Sequence, residues 1–194
     1  MTVQRPARIV VLAGGGSKRM GNDKITADLG GSTVLNVLLS GLPPEVDVVI
    51  VGPRRTTSRT VSWRVESPAG GGPVAGVVAG LASSADGDVV AVVAGDLPFA
   101  GPALEPLLAA LYAAGGRADA AIGVDPAGAD QPLLAAYRVG PLRRAVGDDH
   151  AGRSVRSVLS LLTVVRVPLA ATWCLDVDTA ADLASARALV GLGP

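Results

Sequence analysis

The stretch that decides the fold is RIVVLA at residues 8–13, which is followed directly by three glycines at 14–16. Its consecutive β-branched and aliphatic residues predict a short strand that is buried on both faces. The glycines predict a tight turn at the carboxyl end of that strand. Strands that are apolar on both faces are typical of parallel sheets covered by helices on each side.

Strand and helix patterns alternate along the rest of the chain. Apolar runs predict further strands at 46–51, 60–65, 88–94, 118–124, 133–138 and 164–167. Helical patterns predict helices at 33–42, 74–83, 103–114, 155–162 and 182–190, with Ser32 capping the first of them. This alternation predicts an α/β protein with three α/β/α layers, a Rossmann-like arrangement and a mostly parallel central sheet. We expect residues 1–194 to form one domain, as the length allows.

The composition excludes several classes of protein. Seventeen basic and seventeen acidic residues give a formal net charge of zero, so we expect no nucleic-acid partner, which usually needs a basic excess. Mean hydropathy is +0.44, but no run reaches the roughly 18 apolar residues that cross a membrane, and we expect no membrane partner. The first apolar run ends in glycines and makes a poor signal peptide, so we expect a cytoplasmic protein. Cys174, the single cysteine, excludes an internal disulfide.

The glycine-rich segment LAGGGSKRMGNDK, residues 12–24, follows the first strand at the edge where α/β sheets bind ligands. Glycines allow backbone N–H groups to turn towards an anion, because no Cβ blocks the approach. Arg19 and Lys24 add positive charge suited to a triphosphate. Neither of the common phosphate-binding or dinucleotide-binding glycine motifs is present. A solvated basic loop after a glycine turn is the alternative.

Aspartates in two separate segments are candidate metal ligands. Asp96 follows the apolar strand at 88–94, where an unpaired buried carboxylate would be costly, so its position favours a metal or catalytic role. A turn-capping aspartate is the alternative. Asp176 and Asp178 alternate along an extended segment and therefore lie on the same face. Asp178 or Thr179 could instead cap the final helix.

The segment at 12–24 closely resembles the opening of the molybdenum cofactor guanylyltransferases and, more broadly, the sugar-nucleotide pyrophosphorylase-like nucleotidyltransferases. The resemblance implies a nucleotidyltransferase fold and a nucleotide site at the first loop. It implies that Arg19 and Lys24 act as catalytic residues by neutralising charge at the attacked α-phosphate. The residues that it places around the nucleotide are Leu12, Ala13, Gly14, Gly15, Gly16, Ser17 and Lys24.

The sequence GDLP, with its aspartate at Asp96, resembles the family's GD-x-P element, whose aspartate binds Mg²⁺ and is catalytic. DVDTAADL at 176–183 resembles the family's N-V-N-T-P-x-x-L, with aspartates in place of both asparagines and no proline. These departures favour a stronger magnesium site at Asp176 or Asp178. They are also similar to cytidylyl- and phospholactate guanylyltransferase relatives.

Two further elements complete the resemblance. ESPAGGGPVAG at 66–76 is similar to the family's base-contacting loop, which implies nucleotide-binding roles for Glu66, Ser67, Gly72, Pro73 and Gly76. Ser67 stands where relatives often have aspartate, and whether Glu66 replaces that aspartate is open. Gln131 opens QPL, which resembles the start of the family's acceptor-lining strand. The alternative is a polar residue at the start of a strand.

The resemblance implies transfer of a nucleoside monophosphate from GTP to molybdopterin, with release of pyrophosphate and Mg²⁺ as cofactor. It implies a nucleotide-binding half at about 8–100 and an acceptor-binding half at about 101–190. It also leaves room for transient contact with molybdoenzymes or cofactor-insertion proteins. CTP with molybdopterin, another phosphorylated acceptor, and a non-catalytic nucleotide-binding homologue remain alternatives. A dinucleotide-binding reductase is disfavoured, because Gly52 stands where an acidic residue would end the second strand.

Overall fold

The structure, a computed structural model, describes residues 5–14 and 23–191. The strands in these ranges are β1 (Arg8–Leu12), β2 (Val48–Val51), β3 (Ser62–Arg64), β4 (Val89–Ala94), β5 (Ala120–Val124), β6 (Asp130–Arg138) and β7 (Val164–Pro168). The α-helices are α1 (Val34–Gly41), α2 (Gly72–Gly80), α3 (Leu104–Ala114), α4 (Val139–Val146), α5 (Val155–Leu159) and α6 (Ala180–Gly191). Short 3₁₀ helices occupy Lys24–Thr26, Gly101–Ala103, Gly115–Arg117 and Ala171–Cys174.

The strands form one sheet in the order β3-β2-β1-β4-β6-β5-β7. Strand β6 runs antiparallel to both of its neighbours, and every other pairing is parallel. Ile9 at the centre of the sheet pairs with Val48 on one side and Ala91 on the other. The predicted α/β class and mostly parallel sheet are therefore confirmed.

The two faces of β1 belong to different core clusters, as a doubly covered strand requires. Ile9 and Val11 face the layer that contains α1 and α3, whereas Val10 faces the layer that contains α2, α4 and α5. All three side chains are fully buried. A Cβ placed on Gly80 of α2 would lie 2.3 Å from Val10 Cγ1, so this glycine allows a close approach of helix and sheet.

Several local predictions differ from the structure. Strand β6 begins at Asp130 rather than at 133 and so includes Gln131. Thr33, rather than Ser32, caps α1, because its side chain accepts a hydrogen bond from the N–H of Asn36 at 3.2 Å. Helix α4 was not predicted. It begins directly after Arg138 at the end of β6, and it accommodates Pro141 because this proline lies in the first turn, where no helical N–H is needed.

The order of the strands predicts a ligand-binding crevice at the carboxyl edge of β1. The chain passes from β1 to β2 on one side and later inserts β4 on the other, which is the topological switch at which α/β sheets bind ligands. A third core cluster lies beside this edge and joins the start of α1 to α6 through Leu29, Val34, Val177, Leu183 and Ala186. It brings the C-terminal part of the chain to the edge of the sheet.

Within residues 5–14 and 23–191, the helices are too short or too polar to traverse a lipid bilayer.

Candidate active site

The ends of three parallel strands are joined by backbone hydrogen bonds at the crevice. Ala13 donates its N–H to the carbonyl of Val51 at 2.8 Å, and Gly95 donates to the carbonyl of Leu12 at 2.8 Å. Gly52 has a φ of +143°, and a Cβ there would lie 2.6 Å from the carbonyl oxygen of Ala13. Glycine is therefore required where β2 passes the end of β1.

Lys24 stands between two carboxylates at this edge. Its ammonium forms ion pairs with Asp96, at the end of β4, and with Asp178, before α6. The side chains of Lys24 and Asp96 are about one-fifth exposed, at 20% and 19%, whereas that of Asp178 is 50% exposed. Three residues from distant parts of the sequence thus form one charged cluster that opens to solvent on the Asp178 side.

The carboxylates keep Lys24 positively charged. Partial burial works to lower the pKa of Lys24, but hydrogen bonds and charge attraction from Asp178 and Asp96 outweigh it, and the pKa is raised. Lys24 is therefore a fixed cation at neutral pH, as a phosphate-binding role requires.

The position of Asp178 follows from the residue before it. Val177 is fully buried and donates its N–H to the carbonyl of Asp96 at 3.0 Å, which ties the two acidic segments together. Because side chains alternate along an extended segment, Asp176 and Asp178 both lie on the face opposite to Val177. The burial of one valine thus presents two carboxylates at the same edge.

Thr179 and Asp182 cap α6, and Asp178 is left free for another role. The N–H and hydroxyl of Thr179 donate to Asp182 Oδ2 at 2.7 and 2.8 Å, and the N–H of Asp182 donates to Thr179 Oγ1 at 3.2 Å. This reciprocal pair is a capping box with aspartate in the place of the usual glutamate. Of the two capping candidates in the sequence, Thr179 is the one whose side chain caps the helix.

Asp176 lies near the cluster but makes no ion pair with the residues that the structure describes. Burial raises the pKa of Asp176, and the negative charges of Asp178 and Asp96 raise it further. Lys24 bonds to Asp178 instead. The geometry therefore favours Asp178 over Asp176 as the partner of Asp96.

Substitutions of Thr179 and Asp178 can distinguish a helix-capping role from a metal-binding role. We expect Thr179→Ala to lower the free energy of unfolding by about 1 kcal/mol, or about 3 °C in Tm, and to leave the magnesium dependence of turnover unchanged. We expect Asp178→Asn to raise the magnesium concentration needed for half-maximal turnover severalfold, with a smaller effect for Asp176→Asn. Thermal unfolding and magnesium titrations of all three variants measure both quantities. A magnesium requirement that is unaltered in Asp178→Asn would contradict a metal role for Asp178.

The cluster fits a divalent ion by the chemistry of its donors. Asp96 and Asp178 already place two carboxylates around one positive charge, the Lys24 ammonium. No group of three or more His, Cys, Asp or Glu side chains in the described ranges is arranged to hold a metal ion. Mg²⁺ is commonly held by one or two carboxylates together with substrate phosphates and water, so two carboxylates suffice for a site that is completed by a nucleotide.

The predicted base loop, residues 66–76, folds against Gly14, the first glycine of the phosphate segment at 12–24. A Cβ on Gly14 would lie 3.6 Å from Glu66 Oε2, and Glu66 Oε1 accepts a hydrogen bond from the N–H of Gly70 at 3.3 Å. The loop is closed by the N–H of Gly71, which donates to the carbonyl of Pro68 at 2.9 Å. The Glu66 carboxylate is thereby held beside Gly14.

The remaining residues of the base loop form the start of α2. Gly72 has a φ of +84°, Pro73 occupies the first turn, and a Cβ on Gly76 would lie 3.2 Å from Leu12 Cδ2. The side chain of Leu12 therefore packs on α2, and Ala13 is buried at the end of β1. These small residues bring the base loop and the end of β1 close together.

A second segment covers the base loop. His150 Nε2 lies 3.3 Å from the carbonyl oxygen of Ser67, and the N–H of Gly152 donates to the carbonyl of Gly71 at 2.9 Å. His150 lies in the loop that follows α4, and its imidazole contacts the turn that carries Ser67.

Gln131 lies at the same edge of the sheet. Leu134 of β6 pairs with Val93 of β4, and the two strands are antiparallel, so the start of β6 lies beside the carboxyl end of β4. The Gln131 amide donates to Asp125 Oδ2 at 3.0 Å, which holds the side chain in the β5–β6 turn. An acceptor-binding role for Gln131 stays a prediction.

Arg55 is a residue at this edge that sequence analysis missed. Its guanidinium donates to the carboxylate of Asp23 at 2.6 Å and to the carbonyls of Ala13 and Pro53 at 3.1 and 2.8 Å. The polar segment at 54–59 has no periodicity, so only the excess of arginine there could have signalled a buried contact.

Several predicted site residues lie outside the described ranges, namely Gly15, Gly16, Ser17 and Arg19. Their phosphate-binding and catalytic roles stay predictions. Cys174 is partly exposed, and burial raises the pKa of its thiol, which disfavours the reactive thiolate.

Comparison with known proteins finds a matching family and similar relatives. Residues 9–165 match the family described as the MobA-like NTP transferase domain. A molybdenum cofactor guanylyltransferase of Cereibacter sphaeroides is 32% identical over 149 residues, which span 69% of this chain and 76% of the relative. A molybdenum cofactor guanylyltransferase of Mesorhizobium japonicum is 34% identical over 99 residues, or 46% of this chain and 48% of the relative.

Solved structures resemble the whole fold. The molybdopterin-guanine dinucleotide biosynthesis protein A of Archaeoglobus fulgidus aligns with a TM-score of 0.73 and 23% identity, over 95% of this chain and 99% of that one. The 2-C-methyl-D-erythritol 4-phosphate cytidylyltransferase of Thermus thermophilus aligns with a TM-score of 0.68 and 20% identity, over 94% and 98%. Proteins named for guanine and for cytidine nucleotides thus have this fold, so the base must be inferred from the site.

Proposed function

The chain belongs to the MobA-like NTP transferase family, and we propose that it transfers the guanylyl group of GTP to molybdopterin and releases pyrophosphate. That it is a nucleotidyltransferase follows from its membership of the family. The single observation that carries the proposal is the meeting of Lys24, Asp96 and Asp178 at the carboxyl edge of β1 and β4. This edge is where an α/β sheet binds a nucleotide.

In the proposed reaction, a phosphate oxygen of the acceptor attacks the α-phosphorus of GTP and forms a new P–O bond. The bond from the α-phosphorus to the oxygen that bridges to the β-phosphate breaks, and pyrophosphate leaves with that oxygen. Both reacting groups are anions, so the enzyme must neutralise charge and hold the two phosphates in line. No covalent intermediate with the protein is needed.

The residues at the crevice divide this work between them. Lys24 and Arg19 neutralise the charge that develops on the α-phosphate, and the N–H groups of 14–17 hold the β- and γ-phosphates. Asp96 and Asp178 would hold Mg²⁺, which supplies charge neutralisation and orientation for the reacting phosphates when it is bound. Lys24 would bind a phosphate oxygen in place of its two carboxylates.

Glu66 supports guanine as the base. Its carboxylate is an acceptor only, and guanine presents two adjacent donors, the ring N–H and the exocyclic amine, whereas cytosine, adenine and uracil present one donor group each. The position of Glu66 beside Gly14 lets it take over the role of the aspartate that Ser67 replaces. CTP is the second candidate, because the aspartates at 176 and 178 are similar to those of cytidylyltransferase relatives.

Pyrophosphate release with molybdopterin, Mg²⁺ and each of the four ribonucleoside triphosphates tests the proposal. We expect GTP to be used best, and we expect Glu66→Gln to reduce the ratio of kcat/KM for GTP to that for CTP about tenfold, because a two-donor contact is lost. Glu45→Gln is the matched control. Glu45 pairs with Arg5 at 2.5 Å before β2, at the opposite edge of the sheet, and its loss should leave the ratio unchanged.

The other outcomes identify the alternatives. Preference for CTP in the wild-type protein would make it a cytidylyltransferase, and use of a different phosphorylated acceptor would reassign the acceptor. Binding of a nucleotide without pyrophosphate release from any triphosphate would indicate a non-catalytic homologue.

A further inference from the structure

Arg55 contacts residues near both ends of the phosphate segment at 12–24. Its guanidinium binds the carbonyl of Ala13, which ends β1, and the carboxylate of Asp23, which precedes Lys24. It also binds the carbonyl of Pro53, close to its own backbone. The side chain is only 13% exposed, so these contacts are largely shielded from solvent.

Arg55 contacts the two residues that flank the stretch 14–22. Residues 14–22 connect Ala13 to Asp23, and both of these flanking residues bind the same guanidinium. Arg55 therefore bridges the two residues between which this stretch of sequence runs. Holding the two ends of a flexible stretch together costs conformational entropy. A side chain that binds both Ala13 and Asp23 favours one distance between these two residues.

Asp23 passes this constraint on to Lys24. The carbonyl of Asp23 accepts hydrogen bonds from the N–H and the hydroxyl of Thr26 at 3.0 and 2.7 Å, which closes the 3₁₀ turn that begins with Lys24. The Asp23 side chain makes no capping bond within that turn, and its carboxylate binds Arg55 instead. The orientation of the Lys24 backbone thus depends on a residue from the connection between β2 and β3.

We propose that Arg55 is a positioning residue for the triphosphate. It holds Asp23, and with it the turn that carries Lys24, against Ala13 at the end of β1, and it acts through these two residues without touching the nucleotide. This role rests on the proposed function and extends it to a residue outside the phosphate segment. Arginine suits the role because its planar group donates in several fixed directions, which a lysine ammonium on a flexible stem does not reproduce.

Titration calorimetry with GTP and Mg²⁺ tests the role. We expect Arg55→Ala to weaken GTP binding about tenfold or more, because a charge-assisted contact at each end of the segment is lost. We expect KM for GTP to rise while KM for the acceptor stays within about twofold. Arg55→Lys should recover part of the loss, and so should free guanidinium at millimolar concentration added to Arg55→Ala.

Arg59→Ala is the matched control. The Arg59 guanidinium also binds backbone carbonyls of a connection, those of Pro43, Pro44 and Val46 at 3.1, 2.8 and 3.0 Å, but that connection lies between α1 and β2. Its loss should lower Tm and leave the GTP dissociation constant unchanged. A purely structural Arg55 would behave in the same way.

The outcomes distinguish this role from the proposed function. If the wild-type protein binds GTP and Arg55→Ala binds it within about twofold, the positioning role is wrong and the proposed function stands. If the wild-type protein binds no triphosphate, the proposed function is wrong and the positioning role with it. Should Arg55→Ala fail to fold, Arg55→Lys and Asp23→Asn decide, since unchanged GTP binding in both would overturn the role.

Discussion

Asp96→Asn should lower turnover by at least about a hundredfold, because it removes one of the two carboxylates that face Lys24 and would hold Mg²⁺. A neutral amide is a much weaker ligand for a hard cation. The backbone contact from Val177 to the carbonyl of Asp96 does not depend on the side chain, so the segment before α6 should keep its place. Steady-state assays of pyrophosphate release over a range of Mg²⁺ and Mn²⁺ concentrations measure the loss and any partial recovery.

Asp86→Asn is the control for this change. Asp86 forms an ion pair with Arg143 near the amino end of β4, at the opposite edge of the sheet from Asp96. An exposed pair of this kind contributes about 0–1 kcal/mol, so both activity and folding should survive its loss. An Asp96→Asn enzyme that keeps the wild-type response to magnesium would move the metal site away from Asp96.

The centre of the fold was predictable because strands that are apolar on both faces must be buried between two layers of helices. Strand β4 is buried on both faces in the structure, as the run at 88–94 predicted. Helix α4 was missed because the sequence VGPLRRAV carries a glycine, a proline and two arginines in eight residues, which weakens any helical pattern. Its stability comes from the packing of Leu142 and Val146 against the sheet layer, a tertiary contact that local propensity does not contain.

The candidate site was predictable in its parts but not in its contacts. Lys24 and Asp178 are 154 positions apart, and the ion pair between them depends on how α6 packs beside the first loop. The pairing of Thr179 with Asp182 decides which residue caps α6, and the sequence left that open. Arg55 carries no motif, because its function is defined by the carbonyl and carboxylate oxygens that surround it.

Lys24→Ala should lower turnover at least tenfold while the fold is retained, since Lys24 begins a short 3₁₀ turn and its side chain is not part of the hydrophobic core. The variant loses the positive charge that is proposed to act at the α-phosphate. Nucleotide binding should weaken as well, because an ammonium–phosphate contact disappears. Activity within twofold of wild type would show that Lys24 does not act on the phosphates.

Because Lys24 pairs with two carboxylates, Lys24→Ala should also have a second effect, on the binding of divalent ions, that is opposite to its effect on GTP binding. In the absence of nucleotide the ammonium occupies the space between Asp96 and Asp178, so it competes with any divalent ion for the same oxygens. Removal of the ammonium should therefore strengthen Mn²⁺ binding to the nucleotide-free protein, as followed by electron paramagnetic resonance, while GTP binding weakens. Lys24→Met, which keeps most of the stem without the charge, should reproduce both changes, whereas Lys24→Arg should reproduce neither in full. A purely structural lysine would lower both affinities together, because a displaced loop would disturb the carboxylates and the phosphate site alike.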